Sequence, residues 1–339
     1  MFDRFSLADL STRVLSAPMT GGPSTPELAA AVSGAGGLGF VAAGLSSADD
    51  LADSILAARK LTSGVLGVNL FVPQPTAADI SQLSAYESAV APKAELYGVP
   101  IGEPRHDDEW CAKLEVVCDL RPEVVSFTFG VPNEAQFRRL HDVGILNLAT
   151  VTSVREGMIA LSYGADALVA QGPHAGGHRA TFDPFAEPPR DSLDDLVSAL
   201  AYCFDCPVVA AGGLGTARDV SRVRDAGATA VQLGTAFLLA DEAGTNPVHR
   251  AALRNPHFTE TVMTRAFTGR YARTLRNRFF DDHDPDAIFG FPEVAMMIAP
   301  IQAAAVRLGD PHGTALWAGA GFRAAKAAPA ADIVRELAG

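Results

Sequence analysis

Eight short runs constrain this chain more than anything else in it: 14–17, 38–42, 64–69, 124–128, 145–150, 167–171, 207–211 and 230–234. Each is apolar throughout instead of alternating with polar residues. That is the pattern of strands buried on both faces of a parallel sheet. Longer helical patterns fill the gaps, around 47–61, 76–97, 109–120, 133–141, 153–163, 192–202 and 216–226. An earlier one opens at Thr25, a capping residue followed by Pro26, and stops at the glycines 34–37. Eight β-then-α units in a row predict an α/β fold closed into a (β/α)8 barrel, the TIM-barrel architecture.

An open doubly wound sheet is the alternative. It would carry GxGxxG after its first strand, where this chain has Pro18-Met19-Thr20-Gly21-Gly22-Pro23. Gly34, Gly36 and Gly39 have the right spacing but lie between a helix and a strand, so they read as a turn. Residues 1–240 are therefore expected to form the barrel core. Residues 241–339 do not continue the repeat and are expected to be a mostly helical extension that caps or completes it, with surface loops near 281–286 and a C-terminal helix over 324–339.

Composition narrows the function classes. Hydrophobic residues make up 48% of the chain and charged residues 19%, which excludes wholesale disorder. With 27 Lys+Arg against 39 Asp+Glu, the net charge of −12 argues against a nucleic-acid partner. The apolar run 294–306 contains Pro300 and falls short of the roughly 20 residues that span a bilayer, so no membrane partner is expected. No signal peptide is read at the N-terminus, and the cytoplasm is the expected compartment. The four cysteines give no disulfide framework; Cys203 and Cys206 form a single CxxC, better explained by packing than by redox or metal chemistry. The oligomeric state stays open, a homo-oligomer included.

Active sites of such barrels lie at the C-terminal ends of the strands. There the sequence offers four groups. Ala211-Gly212-Gly213-Leu214-Gly215-Thr216 and Gln232-Leu233-Gly234-Thr235 follow the last two strands. Glycine backbones there, with a helix N-terminus beside them, suit an anion such as phosphate. Gln171-Gly172-Pro173-His174-Ala175-Gly176-Gly177-His178-Arg179 follows the sixth strand. Its two histidines have the HxxxH spacing of a zinc helix, but Pro173 and the glycines make a helix improbable, so no metal is expected. His178 is the better candidate for a neutral general base, and His174 for an ordinary surface or core histidine. Pro18 fixes the backbone of Ala17-Pro18-Met19, where Met19 suits either a flat ring or the core. Asn69 ends the third strand, and an amide there suits a heterocycle edge, a phosphate or a turn. The arginines 265, 270, 273, 276 and 278 alternate with Phe267, Tyr271 and Leu275, and read as a helix or loop snorkelling over the barrel mouth.

Taken in order, APMTGGPSTPELAAAVSGAGGLGF, GVNLF, VAQGPHAGGH, AAGGLGTARDV, QLGTAF and FTGRYARTLRNRF make the chain resemble the FMN-dependent nitronate monooxygenases, formerly called 2-nitropropane dioxygenases, over about residues 15–280. The resemblance implies a TIM barrel with a small second domain or extension and FMN across the strand ends. It places Ala17, Pro18, Met19, Asn69, Gln171 and Gly177 against the flavin, with Gly212, Gly213, Gly234 and Thr235 on its phosphate. It makes His178 the catalytic base, and the reaction the oxidation of alkyl nitronates, or nitroalkanes, with O2 to a carbonyl compound and nitrite. His174 stands where relatives usually carry an acid, and Thr150 where many carry Gln, so the substrate is left open. Two other readings remain: an FMN-dependent, NAD(P)H-driven reductase resembling the enoyl-acyl-carrier-protein type, and a non-redox phosphate-binding barrel.

Overall fold

A computed structural model describes residues 5–75, 78–103 and 108–339. Eleven strands are described: β1 (Val14–Ser16), β2 (Gly39–Ala42), β3 (Leu66–Phe71), β4 (Val124–Thr128), β5 (Leu146–Val151), β6 (Ala167–Gln171), β7 (Gly177–His178), β8 (Val208–Ala211), β9 (Ala230–Leu233), β10 (Thr261–Thr264) and β11 (Ala272–Leu275). Eight of them form one parallel sheet in the order β1-β9-β8-β6-β5-β4-β3-β2. A parallel bridge between Leu15 and Leu38 joins its two edges and closes the barrel. Each of the eight apolar runs supplies one of these strands, and the (β/α)8 architecture is the one observed.

The strands are apolar throughout because both faces are covered. Val14, Val41, Val68, Val125 and Val231 pack outward against the helices. Leu15, Leu38, Phe40, Val124, Leu148, Val169 and Val209 fill the interior. The first helix, Pro26–Gly34, is capped by Thr25, whose Oγ1 accepts from Leu28 N at 3.0 Å. Gly39 is a contact residue: a Cβ there would sit inside the Ala29 backbone. The glycines at 34–39 thus serve close helix–strand packing. The helix expected from 76 runs Ile80–Tyr97; Thr76 and Ala77 lie outside the described residues.

After β9 the chain leaves the barrel and returns only at its end. Helix Ala330–Ala338 packs against Pro26–Gly34 and Ala217–Asp225, taking the eighth helical position. Between these points lies a second layer that draws on both sides of residue 240. Tyr86, Val90 and Ala94 of helix Ile80–Tyr97 share a core with Phe267, Phe279, Val294, Met297, Ile298 and Ile301. Helix Glu293–Arg307 supplies the last four of these. The segment expected to be a helix or loop over the mouth is instead a strand, β11, of the antiparallel sheet β10-β11-β7. Because β7 belongs to the loop after β6, that sheet fastens the second layer to the barrel end.

Candidate active site

Side chains alternate along a strand, so stepping by two along each inward face shows how the interior changes. Toward the C-terminal ends Leu15 gives way to Ala17, Phe40 to Ala42, Val124 to Ser126, Leu148 to Thr150, Val169 to Gln171 and Ala230 to Gln232. Register sets Ala42 beside Asn69 and Asn69 beside Ser126; across the barrel Gln171 pairs with Ala211 and Ala211 with Gln232. The apolar core therefore ends in a floor of small and polar residues.

The amides on this floor are positioned differently. Asn69 is buried, and its Nδ2 donates to Ser126 O (3.1 Å), Ser126 Oγ (2.9 Å) and Thr128 Oγ1 (3.0 Å). Gln171 braces the following loop: Nε2 donates to His178 O and Oε1 accepts from Ala180 N, each at 3.0 Å. Gln232 Nε2 is buried without a protein acceptor. A buried donor left unpaired costs roughly 1–3 kcal/mol, so this atom calls for a ligand acceptor.

The loop after β1 meets the end of β9. Ala17 N donates to Leu233 O at 2.8 Å, and a Cβ on Gly234 would lie 3.4 Å from both Ala17 Cβ and Met19 Sδ. Pro18 lies between, and Ala17, Pro18, Met19 and Gly234 form one wall.

Beside it the glycine loops pack backbone on backbone. Gly212 (φ +113°) and Gly213 (φ +75°) adopt left-handed conformations, and Cβ atoms there would come within 2.9 Å of Ala175 N and 2.7 Å of His174 Cβ. A third segment, 319–321, completes the group: Gly319 N donates to Thr235 Oγ1 (2.9 Å) and Ala320 N to His174 O (3.1 Å). His174 joins this group through its backbone carbonyl, and its side chain is exposed. Gly177 (φ +71°) has open space where a Cβ would be. The helix after Gly215 opens with a capping box: Asp219 Oδ2 accepts from Gly215 N and Thr216 N, and Asp219 N donates to Thr216 Oγ1. The open floor, the unpaired Gln232 donor and the glycine cradle fit a flavin with a phosphate tail.

His178 closes the site from the second layer. It pairs with Ala272 in the small sheet, while Gly177 pairs with Arg273. Its ring is walled by Phe291, Phe129, Trp317 and Phe71, with centroids at 5.1, 5.6, 5.8 and 6.3 Å. Nε2 lies 3.0 Å from Thr268 Oγ1. Buried Arg270 stacks on Phe129, its Cζ 4.0 Å from the ring centroid, and its Nη1 has no partner. Burial, and then the Arg270 guanidinium, push the imidazole pKa down to about 3, so His178 is neutral at pH 7. Arg179, Arg270 and Arg273 hold the loop by donating to carbonyls: Gln171 and Gly172 for the first, Arg179 and Thr181 for the second, Pro173 for the third.

All the residues expected at the site come to this one end. Those not anticipated are Gln232, Thr268, Phe129, Phe291, Trp317 and the glycines 319 and 321. The first two sit inside QLGTAF and FTGR, next to residues that were singled out; the aromatic residues carry no local signal. Cys203 ends an outer helix and Cys206 lies in the turn that follows, both as free thiols, and among the described residues no group of three or more His, Cys, Asp or Glu is placed to hold a metal.

A family profile described as nitronate monooxygenase matches residues 6–339. The nitronate monooxygenase of Pseudomonas aeruginosa is 39% identical, over 99% of this chain and 98% of its own length. The solved structure of nitroalkane oxidase from Streptomyces ansochromogenes superposes with a TM-score of 0.94 at 42% identity, covering 98% of this chain and 96% of that one. FabK from Thermotoga maritima is less similar, with a TM-score of 0.75 at 26% identity over 98% and 93% of the two chains.

Proposed function

The chain belongs to the nitronate monooxygenase family, flavoenzymes of the oxidoreductase class that oxidise nitronates and nitroalkanes, and from that premise we propose that it uses FMN and O2 to turn alkyl nitronates into a carbonyl compound and nitrite. Nitroalkanes enter the same reaction after losing an α-proton. The observation that carries this reading is a neutral, aromatic-walled imidazole on the same loop that packs against the glycine cradle.

When bound, FMN supplies the electron transfer from the organic substrate to O2. Gly212, Gly213, Gly234 and Thr235 would hold its phosphate through backbone N–H groups at the strand ends. Ala17, Pro18, Met19, Asn69, Gln171 and Gly177 frame the ring system, and Gln232 Nε2 offers it a donor. His178, uncharged, takes the α-proton of a neutral nitroalkane; a preformed nitronate needs no base. Phe71, Phe129, Phe291 and Trp317 keep water from the imidazole.

An absorbance spectrum of the purified protein tests the reading, followed by separate anaerobic additions of a nitronate and of NADH. A flavin band bleached by the nitronate alone is expected. Bleaching by NADH alone would turn the assignment to a nicotinamide-driven reductase, and a protein that takes up no flavin on reconstitution would leave a non-redox barrel.

A further inference from the structure

His178 Nε2 and Thr268 Oγ1 are 3.0 Å apart, and the same hydroxyl oxygen lies 3.2 Å from Arg270 O, the acceptor of its proton. Thr268 is buried, on the turn between β10 and β11. A hydroxyl has one proton to give and lone pairs to accept with, whereas a carbonyl oxygen only accepts. A neutral imidazole carries its single proton on one nitrogen or the other.

Two arrangements satisfy these rules. If Thr268 donates to Nε2, the imidazole proton sits on Nδ1 and the Arg270 carbonyl loses the hydroxyl. If Thr268 donates to Arg270 O, its lone pair accepts from Nε2–H, and both hydrogen bonds form. In buried surroundings the second arrangement is favoured, because it leaves neither oxygen short of a partner. Nδ1 is then the lone-pair nitrogen, and no hydrogen bond to a described residue engages it.

We infer that Thr268 is a positioning residue: its hydroxyl donates a hydrogen bond to Arg270 O and accepts one from His178 Nε2–H, and so leaves Nδ1 as the atom that takes the substrate's α-proton. In that step the C–H bond breaks, an Nδ1–H bond forms, and the electron pair moves onto the nitro group to give the nitronate. The Nε2 proton stays on His178, hydrogen-bonded to Thr268 Oγ1, and the ring becomes an imidazolium as the nitronate forms. A carboxylate in that position would fix the same tautomer but add a negative charge beside the ring; threonine fixes it without one, in keeping with an imidazole that is neutral near Arg270 until it takes the proton.

The proton-transfer role rests on the function proposed above, but the tautomer does not, and the two are read separately. In flavin-loaded protein labelled with 15N-histidine, the His178 ring signals are identified by their loss in His178→Asn. At pH 7 they are expected to show a protonated Nε2 and a bare Nδ1. Thr268→Ser is expected to keep that pattern, and Thr268→Val to mix or reverse it. With a neutral nitroalkane, Thr268→Val is expected to lower kcat by about 10- to 100-fold, with little change in turnover of the preformed nitronate and recovery in Thr268→Ser. A wild-type His178 protonated on Nδ1 overturns the inference, as does a Thr268→Val protein with unchanged tautomer and unchanged nitroalkane kcat. If the valine variant does not hold flavin, the wild-type and serine spectra still decide the tautomer. Absence of turnover with either nitro compound, together with an Nε2–H signal, would strike the functional reading and leave the tautomer standing.

Discussion

The barrel end and the second layer contribute to one site in opposite ways. The barrel supplies surface: small side chains, strand-end amides and glycine backbones that let a ligand approach closely. The second layer supplies an environment. Thr268, Phe291, Trp317 and Arg270 all lie beyond residue 240, and together they shape what the His178 imidazole of the β6 loop can do. On the proposed function, most cofactor contacts fall to the barrel end and most of the surroundings of the imidazole to the layer, with segment 319–321 and the rings of Phe71 and Phe129 crossing that division. Barrel-side changes should therefore affect cofactor retention, and changes in the layer should affect proton chemistry.

The sharpest way to break that division is Gly213→Asp. At φ +75° any side chain is strained, so Gly213→Ala is the control, with an expected loss of about 10-fold in FMN affinity. The carboxylate should cost at least about 100-fold more by repelling the phosphate, giving a colourless protein. Equal retention of flavin by the two variants, measured by absorbance, would place the phosphate elsewhere.

His178→Asn comes next. Turnover of a neutral nitroalkane should fall by about 10²- to 10⁴-fold and that of its nitronate by less than about 10-fold. Equal losses would remove the base role and leave His178 as part of the wall.

A subtler change in the layer is Phe291→Ala. Water admitted beside the ring should raise the His178 pKa from about 3 by at least about one unit, toward its usual 6.5, as read by NMR titration. No movement would mean that the charge of Arg270 outweighs burial.

The smallest effect concerns stability. His249 is buried in helix Pro247–Arg254, and burial pushes its pKa down to about 4. The unfolded chain takes up this proton near pH 6.5 and the native state does not. Stability therefore rises with pH through that window and is lost as pH falls from about 6.5 toward 4, by at most about 3 kcal/mol for this group. Thermal midpoints of His249→Gln should decline less steeply over that range than those of the wild type. Parallel declines would show that His249 is protonated in the native state.

How much of this was legible beforehand differs residue by residue. The eight strands, the cap at Thr25 and the turn glycines follow from patterns a few residues long, and His178 stands out as the polar end of a glycine-rich loop after a strand. Gln171 was legible as a strand-end amide, yet its hydrogen bonds to the His178 loop were not. The helix start after Gly215 was legible as a cap at Thr216, yet the return of Asp219 onto Gly215 N was not.

By itself the sequence determined the barrel, because burial of both strand faces writes itself into every run, and it determined where glycine must let backbones meet. Only the tertiary structure decided the state of the imidazole. Thr268 is 90 residues away from His178 along the chain. Proton affinity depends on every dipole, ring and charge within a few ångströms, and no local pattern specifies which distant segments will supply them.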